Sequence, residues 1–411
     1  MTMRSATRSD PEHSERSQRW LAVEGHRGLP NTAPQARPYK RDETTALRSS
    51  PGAAVSRALR VVHLPARTPY VRKIASGDFS ILNGVNVGHG VVPAAVTAAW
   101  LLDRRPLDWL DVLHLHHVEL DDITVLERLL AECADCGVKV VYTAHDITPM
   151  YCTADSFRER MELLARSGAA WICLTAASAE TLKEQIAAIP PVTVIPHGYV
   201  VNPDDVARCP LDSVQPAAPR YLMYGALRAS RDHLSTIANW SLSVTDPAAR
   251  LILLLRAISP ADFQRHDVPA LLALIKSDRR IQTAMRAYPS DVEIAAAGLR
   301  ADALLLPYLF GSHSGQLELA FDLNLLPVCS AVGYLKDQYR AHDGLVTEPV
   351  WFDWSDGHPF LFGEQFVAAL ETADARLRST PRQGPSAEFL EYRRREHAQF
   401  LDAHRAVYAA A

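Results

Sequence analysis

Two arginines, Arg228 and Arg231, stand three residues apart directly after the strand-like run YLMYGAL. A guanidinium offers paired N–H donors in a fixed fork, so two of them at the carboxyl end of a strand suit the oxygens of a diphosphate. Gly225, inside that run, leaves room for a ligand to approach the backbone. Further along, FGSHSGQLELAFDLNLLPV sets Ser312, Ser314, Gly315 and Gln316 at the start of a helical period. The first turn of a helix exposes unpaired backbone N–H groups and the positive end of the helix dipole, and both attract anions. Each feature also has a plain reading, a solvated surface pair in one case and an ordinary serine cap in the other. Together they outline a pocket for a nucleotide diphosphate.

The first half of the chain carries a second set of polar strand endings. DVLHLHH ends in His116 and His117 and is followed by Glu119, Asp121 and Asp122; KVVYTAH ends in Thr143 and His145, with Asp146 next; TVIPHG carries His197. Ligands of open parallel sheets lie beyond the carboxyl ends of the strands, so these endings predict one wall of a cleft. Strand alternation puts His114 and His116 on one face, and with His117 and Asp121 they are metal-ligand types, but nothing forces a third ligand. The site is therefore read as metal-free. Cys133-x-x-Cys136 closes a helical run with no second Cys or His pair nearby and is read as structural. The segment RTPYVRKIASGDFSILNGVNVGHG is long for a connection between strand and helix. Its Gly84, Gly88 and Gly90 permit close backbone approach, but the spacing is not that of a dinucleotide fingerprint. Gly88 and His89, with His116, are candidates for contact with a second substrate; the bland reading is a long surface loop containing a hairpin.

These residues need elements to position them, and the chain supplies two series. LRVVHLP (59–65), DVLHLHH (111–117), KVVYTAH (139–145), AAWICLTA (169–176) and TVIPHG (193–198) read as strands buried on both faces, with helical periods such as VPAAVTAAWLL and ITVLERLLAECA between them. After a Pro- and Asp-rich break around 200–218 the rhythm resumes with RYLMYGAL, RLILLLRA, RIQTAMRAY, DALLLPYL and LLPVCSAV. At 411 residues the chain exceeds what one core normally serves, which agrees with two domains. The expected fold is α/β with two Rossmann-like domains facing a cleft: an extension at 1–57 without sustained apolar period, expected to be disordered; a first domain at 58–203; a second at 204–385; and a long amphipathic helix at 386–411. A net charge of −4 gives no general reason to bind nucleic acid. The amino-terminal stretch has no apolar core of a secretory signal, and no apolar run approaches the length of a spanning helix, so a cytoplasmic protein, at most peripheral to a membrane, is expected.

The order of TAHD (143–146), VIPHG (194–198), YGALRASRD (224–232), ADALLLPY (301–308) and SHSGQLELAFDLNLLPV (312–328) resembles the GT-B glycosyltransferases, in particular the large retaining group that includes bacterial mannosyl and glucosyl transferases. The resemblance runs from about residue 59 to the carboxyl terminus and is strongest in the second half. It implies a nucleotide-sugar donor held mainly by the second domain, a hydroxyl- or amine-bearing acceptor held mainly by the first, no cofactor, and a last helix that crosses back onto the first domain. It implies that Arg228 and Arg231 hold the donor diphosphate with Gly225, Ser312, Ser314, Gly315 and Gln316 around them. His145 is then the histidine that reaches the donor sugar, with Asp146 beside it and His197 nearby. One departure stands out: the family's two glutamates, separated by seven residues, fall on Ser312 and Ala320; Glu318 is out of register with both but is kept, with His197, among the candidates for contact with the donor. Expected alternatives are a nucleotide-sugar-binding partner without turnover, an epimerase on the same fold, and, from the glycine-rich loop, a dinucleotide oxidoreductase.

Overall fold

The computed structural model describes residues 57–410 apart from 67, 76–77, 87–89, 105, 210–217, 229, 259–261, 263–264, 266, 288, 341, 343–344, 354–358 and 381. The expectation of disorder at 1–57 and the candidates Gly88 and His89 lie outside the described residues, except for Arg57.

The first sheet is parallel throughout and has six strands: β1 (Leu59–Leu64), β2 (Phe79–Ile81), β5 (Val112–Leu115), β6 (Lys139–Ala144), β7 (Ala170–Cys173) and β8 (Val192–Val194), in the order β2-β1-β5-β6-β7-β8. A small hairpin of β3 (Val85–Asn86) and β4 (Val91–Val92) lies in the long segment after β1, which also holds helix α1 (Pro69–Ile74). The second sheet is again parallel and six-stranded. It contains β9 (Arg220–Gly225), β10 (Arg250–Arg256), β11 (Ile281–Arg286), β12 (Ala303–Leu306), β13 (Leu326–Ser330) and β14 (Val350–Phe352), in the order β11-β10-β9-β12-β13-β14. Such strands form because they are covered on both faces: Leu113, Leu304, Leu305 and Val328 are all buried in apolar clusters. A fully buried side chain of this kind contributes about 1.5–3 kcal/mol. Crossover helices supply the cover, and their starts are capped by Asp122, Thr153, Thr175, Asp232 and Ser290, each accepting from a backbone N–H of the first turn.

The last helix, α13 (Ala387–Ala410), spans both domains. Phe389 and Leu390 pack in the second domain, whereas Phe400, Val407 and Tyr408 complete the core on one face of the first sheet. The crossing therefore happens along the helix, and its first turns belong with the second domain. The break at 200–218 contains a short helix at Pro203–Arg208. No helix among the described residues is long and apolar enough to cross a membrane.

Candidate active site

In the second sheet, β9 and β12 are neighbours, but the chain leaves β9 toward β10 and leaves β12 toward β13. The loops that follow these two strands diverge, which opens a crevice at the switch point. Both halves of the sequence-predicted pocket lie here. Gly225 ends β9 with φ +109°, and a Cβ on it would sit 2.7 Å from Gln316 Nε2 and 3.2 Å from an Arg231 guanidinium nitrogen. Glycine is thus required by conformation and by space alike.

The two arginines have different environments. Arg231 is buried; it donates to Gln316 Oε1 at 2.8 Å and to the carbonyls of Tyr224 and Ala226 at 2.9 Å each. Gln316 in turn donates from Nε2 to the Tyr224 carbonyl at 2.6 Å. Arg231 thereby ties the end of β9 to the first turn of helix α10 (Gly315–Asp322). Arg228 is exposed and has no ion pair among the described residues. Its charge reaches Arg231 and Tyr308 beside it and His117 and Asp146 in the first domain. Of the pair, Arg228 has its donors available to an anion, and Arg231 shapes the wall behind it.

At the tip of α10, Ser314 Oγ accepts from the N–H groups of Gln316 and Leu317 at 3.1 Å each, and Ser314 N–H donates to Gln338 Oε1 at 2.7 Å. Among the described residues nothing accepts from Gly315 N–H, so that amide remains for a ligand. Glu318, a donor-contact candidate in the sequence, is instead engaged by Gln338, His342 and Arg393. It lies buried beside Arg393 at 2.9 Å and His342 at 3.2 Å; burial alone would raise its pKa, but these two neighbours outweigh that and hold it well below the ordinary carboxylate range.

The first domain meets this loop directly. Ser312 Oγ accepts from Ile147 N–H at 2.9 Å, and His313 Nδ1 bonds the His145 carbonyl at 2.9 Å. A carbonyl only accepts, so Nδ1 carries the proton, and Nε2 lies 3.2 Å from the Thr175 hydroxyl oxygen. Ser312 is thus buried in the seam between the domains, with His145 and Asp146 lining the first-domain side. His197 follows β8, and its ring lies against Gly315, 3.3 Å from where a Cβ would be. Buried Lys73 of α1 donates to the His197 carbonyl and approaches its Nδ1 to 3.2 Å. Burial brings Lys73 down to about 7 and His197 down to about 3, so the imidazole at the helix tip is neutral.

Burial raises Asp146 to about 6, against the lowering effect of the Ser312 N–H. A carboxyl whose pKa is higher folded than unfolded holds its proton more tightly in the folded state. Between about pH 4 and pH 6 stability therefore falls as pH rises through this group. Asp146→Asn is expected to raise the melting temperature at pH 7.5 and to leave it unchanged at pH 4, measured by differential scanning fluorimetry. An equal effect at both values would rule out a titration origin.

Other polar residues singled out in the sequence have the following surroundings in the first domain. Glu119 accepts from the N–H groups of Met150 and Tyr151, and Asp122 caps its helix. Cys133 is buried and Cys136 exposed. His114 bonds Thr143 Oγ1 at 2.8 Å and the Tyr408 hydroxyl at 2.7 Å inside the first domain. Lys73, His313 and Arg393 were not singled out, because each acquires its role from a partner far away in the chain.

No protein-family model matches the chain, and no curated protein matches it at sequence level. Solved structures do. HepE from Anabaena, in complex with UDP and glucose, superposes with a TM-score of 0.55 at 13% identity over 76% of this chain and 81% of that one. A glycosyltransferase from Rickettsia africae gives 0.52 at 15% identity over 85% and 97%. Sucrose-phosphate synthase from Thermosynechococcus elongatus gives 0.51 at 12% over 76% and 78%. With two parallel six-stranded sheets meeting at a seam, the chain has the two-domain α/β architecture of the GT-B glycosyltransferases.

Proposed function

We propose that the protein is a glycosyltransferase that moves a sugar from a nucleotide diphosphate donor to a hydroxyl or amine of an acceptor. The observation that carries this reading is the β9/β12 crevice, where exposed Arg228 and Gly225 lie at the end of β9, the Gly315 N–H opens the helix that follows β12, and Asp146 of the first domain feels the Arg228 charge. In the reaction the bond between the anomeric carbon and the diphosphate oxygen breaks, and the diphosphate leaves with the electron pair. The acceptor forms the new bond and loses its proton, in our reading to a diphosphate oxygen on the same face, which gives retention. Negative charge builds on the leaving group, and fixed donors aimed there lower the barrier without reorganising. Arg228 and the Gly315 N–H take this role, His145 lies toward the donor sugar, and the chemistry proceeds without metal or cofactor.

HepE structures hold UDP, or UDP with glucose, so UDP-sugars lead the trial donors. A thermal-shift panel of nucleoside diphosphates and nucleotide-sugars, run with EDTA, tests the reading. One class at about 100 times its Kd is expected to stabilise the protein by about 2.7 kcal/mol. A flat panel, or stabilisation that EDTA abolishes, would overturn donor binding or its metal independence. A second reading, a nucleotide-sugar-binding partner without turnover, draws on Ser312 and Ala320, which are buried and offer no carboxylate. Release of free nucleoside diphosphate on adding an acceptor separates the two.

A further inference from the structure

His145 is the end of a row of imidazoles. His116 Nδ1 lies 3.0 Å from His145 Nε2, and His63 Nδ1 lies 2.9 Å from His116 Nε2. The row starts in β1, passes the end of β5 and reaches the cleft after β6. Neighbouring strands bring it together, since His63 is in register with His114, two residues before His116. His63 and His116 are buried, and His63 Nε2 has no partner among the described residues. Burial, with the neighbouring imidazoles, lowers all three pKa values, His63 to about 3, so the row is neutral.

A neutral imidazole has one N–H and one lone pair. Two contacts joined head to tail then allow two states of the whole row, and choosing the proton position on one ring fixes it on the others. In one state His63 Nε2 carries a buried N–H with no acceptor. In the other His63 Nδ1–H donates to His116, His116 Nδ1–H donates to His145 Nε2, and the unpartnered atom is only a lone pair. Buried N–H groups without acceptors are the rarer defect.

We propose that His116 and His63 are positioning residues for His145, which hold it in the Nδ1–H tautomer and so determine the hydrogen-bonding character it presents at the cleft. The effect on turnover rests on the transferase reading above; the tautomer itself does not. The same cluster brings ring nitrogens of His63, His114 and His116 within 4.8 Å of one another, the composition of a metal site. Its geometry favours the row: the His114 and His116 rings are stacked, with centroids 4.2 Å apart and planes 27° apart. Lone pairs lie in the ring plane, so near-parallel stacked rings direct them side by side instead of toward one ion. Both nitrogens of His114 and of His116 are also already in hydrogen bonds.

The test is nitrogen-15 NMR of the full chain labelled at histidine. His145 is expected as the Nδ1–H tautomer, and His63→Leu, which removes the donor, is expected to release it toward Nε2–H. His63→Asn puts an amide N–H near the lost Nδ1 and is expected to restore the wild-type pattern. In turnover, His63→Leu should lower kcat about tenfold with the donor KM unchanged, an effect of the size outer partners of a site residue have. An Nε2–H tautomer in the wild type overturns the proposal, and this reading needs no variant to fold. So does one equivalent of transition metal in the purified protein that is lost in His63→Leu. Absent turnover with the Nδ1–H tautomer intact would count against the transferase reading and leave this proposal standing.

Discussion

Arg228→Ala is expected to lower kcat/KM for sugar transfer by about 10²–10³-fold, the cost of removing one preorganised donor from developing charge. The melting temperature should change little, because the side chain is exposed and outside any ion pair among the described residues. Arg231→Ala is expected to behave differently. It removes three hydrogen bonds that join Tyr224, Ala226 and Gln316, so the loss should appear as lowered stability together with lowered activity. Steady-state kinetics paired with calorimetry separate these patterns. Unchanged turnover in Arg228→Ala would remove the diphosphate from this crevice, whereas lost nucleotide binding in a protein that never turned over would identify a silent partner. Arg228→Lys keeps the charge but not the fork, and it should recover only part of the rate.

The largest expected effect on stability belongs to Arg393. This buried guanidinium bonds Asp322 at 2.6 and 2.8 Å, Glu318 at 2.9 Å and Glu396 at 2.5 Å. Burial would pull its pKa down, but Asp322, Glu396 and Glu318 outweigh that and hold it above the ordinary range. Asp322 uses its other oxygen to accept from Val200 and Val201 N–H, so the same cluster also fixes the segment between the domains. Arg393→Met leaves three carboxylates facing one another out of water and is expected to cost about 3–5 kcal/mol, read from urea unfolding at pH 7.5. Burial raises the folded pKa of Asp322 and of Glu396, and of the three carboxylates Glu318 alone is depressed. Its contribution in the wild type is present above the unfolded value and fades as pH falls. The gap between wild type and variant should therefore narrow in acid. A gap that widens there would place the stabilisation elsewhere.

All ten strands expected from the sequence are present, most of them trimmed by one to three residues at their ends, because parallel strands covered on both faces read as unbroken apolar runs. β2 and β14 were not read. Each is three residues long, Phe79–Ile81 and Val350–Phe352, too short for any period to register. The crevice was legible in outline because its parts follow β9 and β12, and the polar residues at strand ends were visible as types. The different environments of Arg228 and Arg231 were not, since the burial of Arg231 depends on Gln316 meeting it from another strand. Nor could the sequence show that Ser312 would engage Ile147, or that His63, inside an apolar run, would meet His116. Contacts of this kind depend on strand order and on how two domains face each other, and local periodicity carries neither.

Helix α13 gives the molecule a temporal dependence. Tyr70, His114 and Ile172 are made early in synthesis, yet the surface they share is closed by Phe400, His404 and Tyr408, which are added only after the whole second domain. A nascent first domain must wait with that flank wet, and any tag or cut placed between residues 385 and 410 acts on the stability of a domain that lies more than 180 residues earlier in the chain.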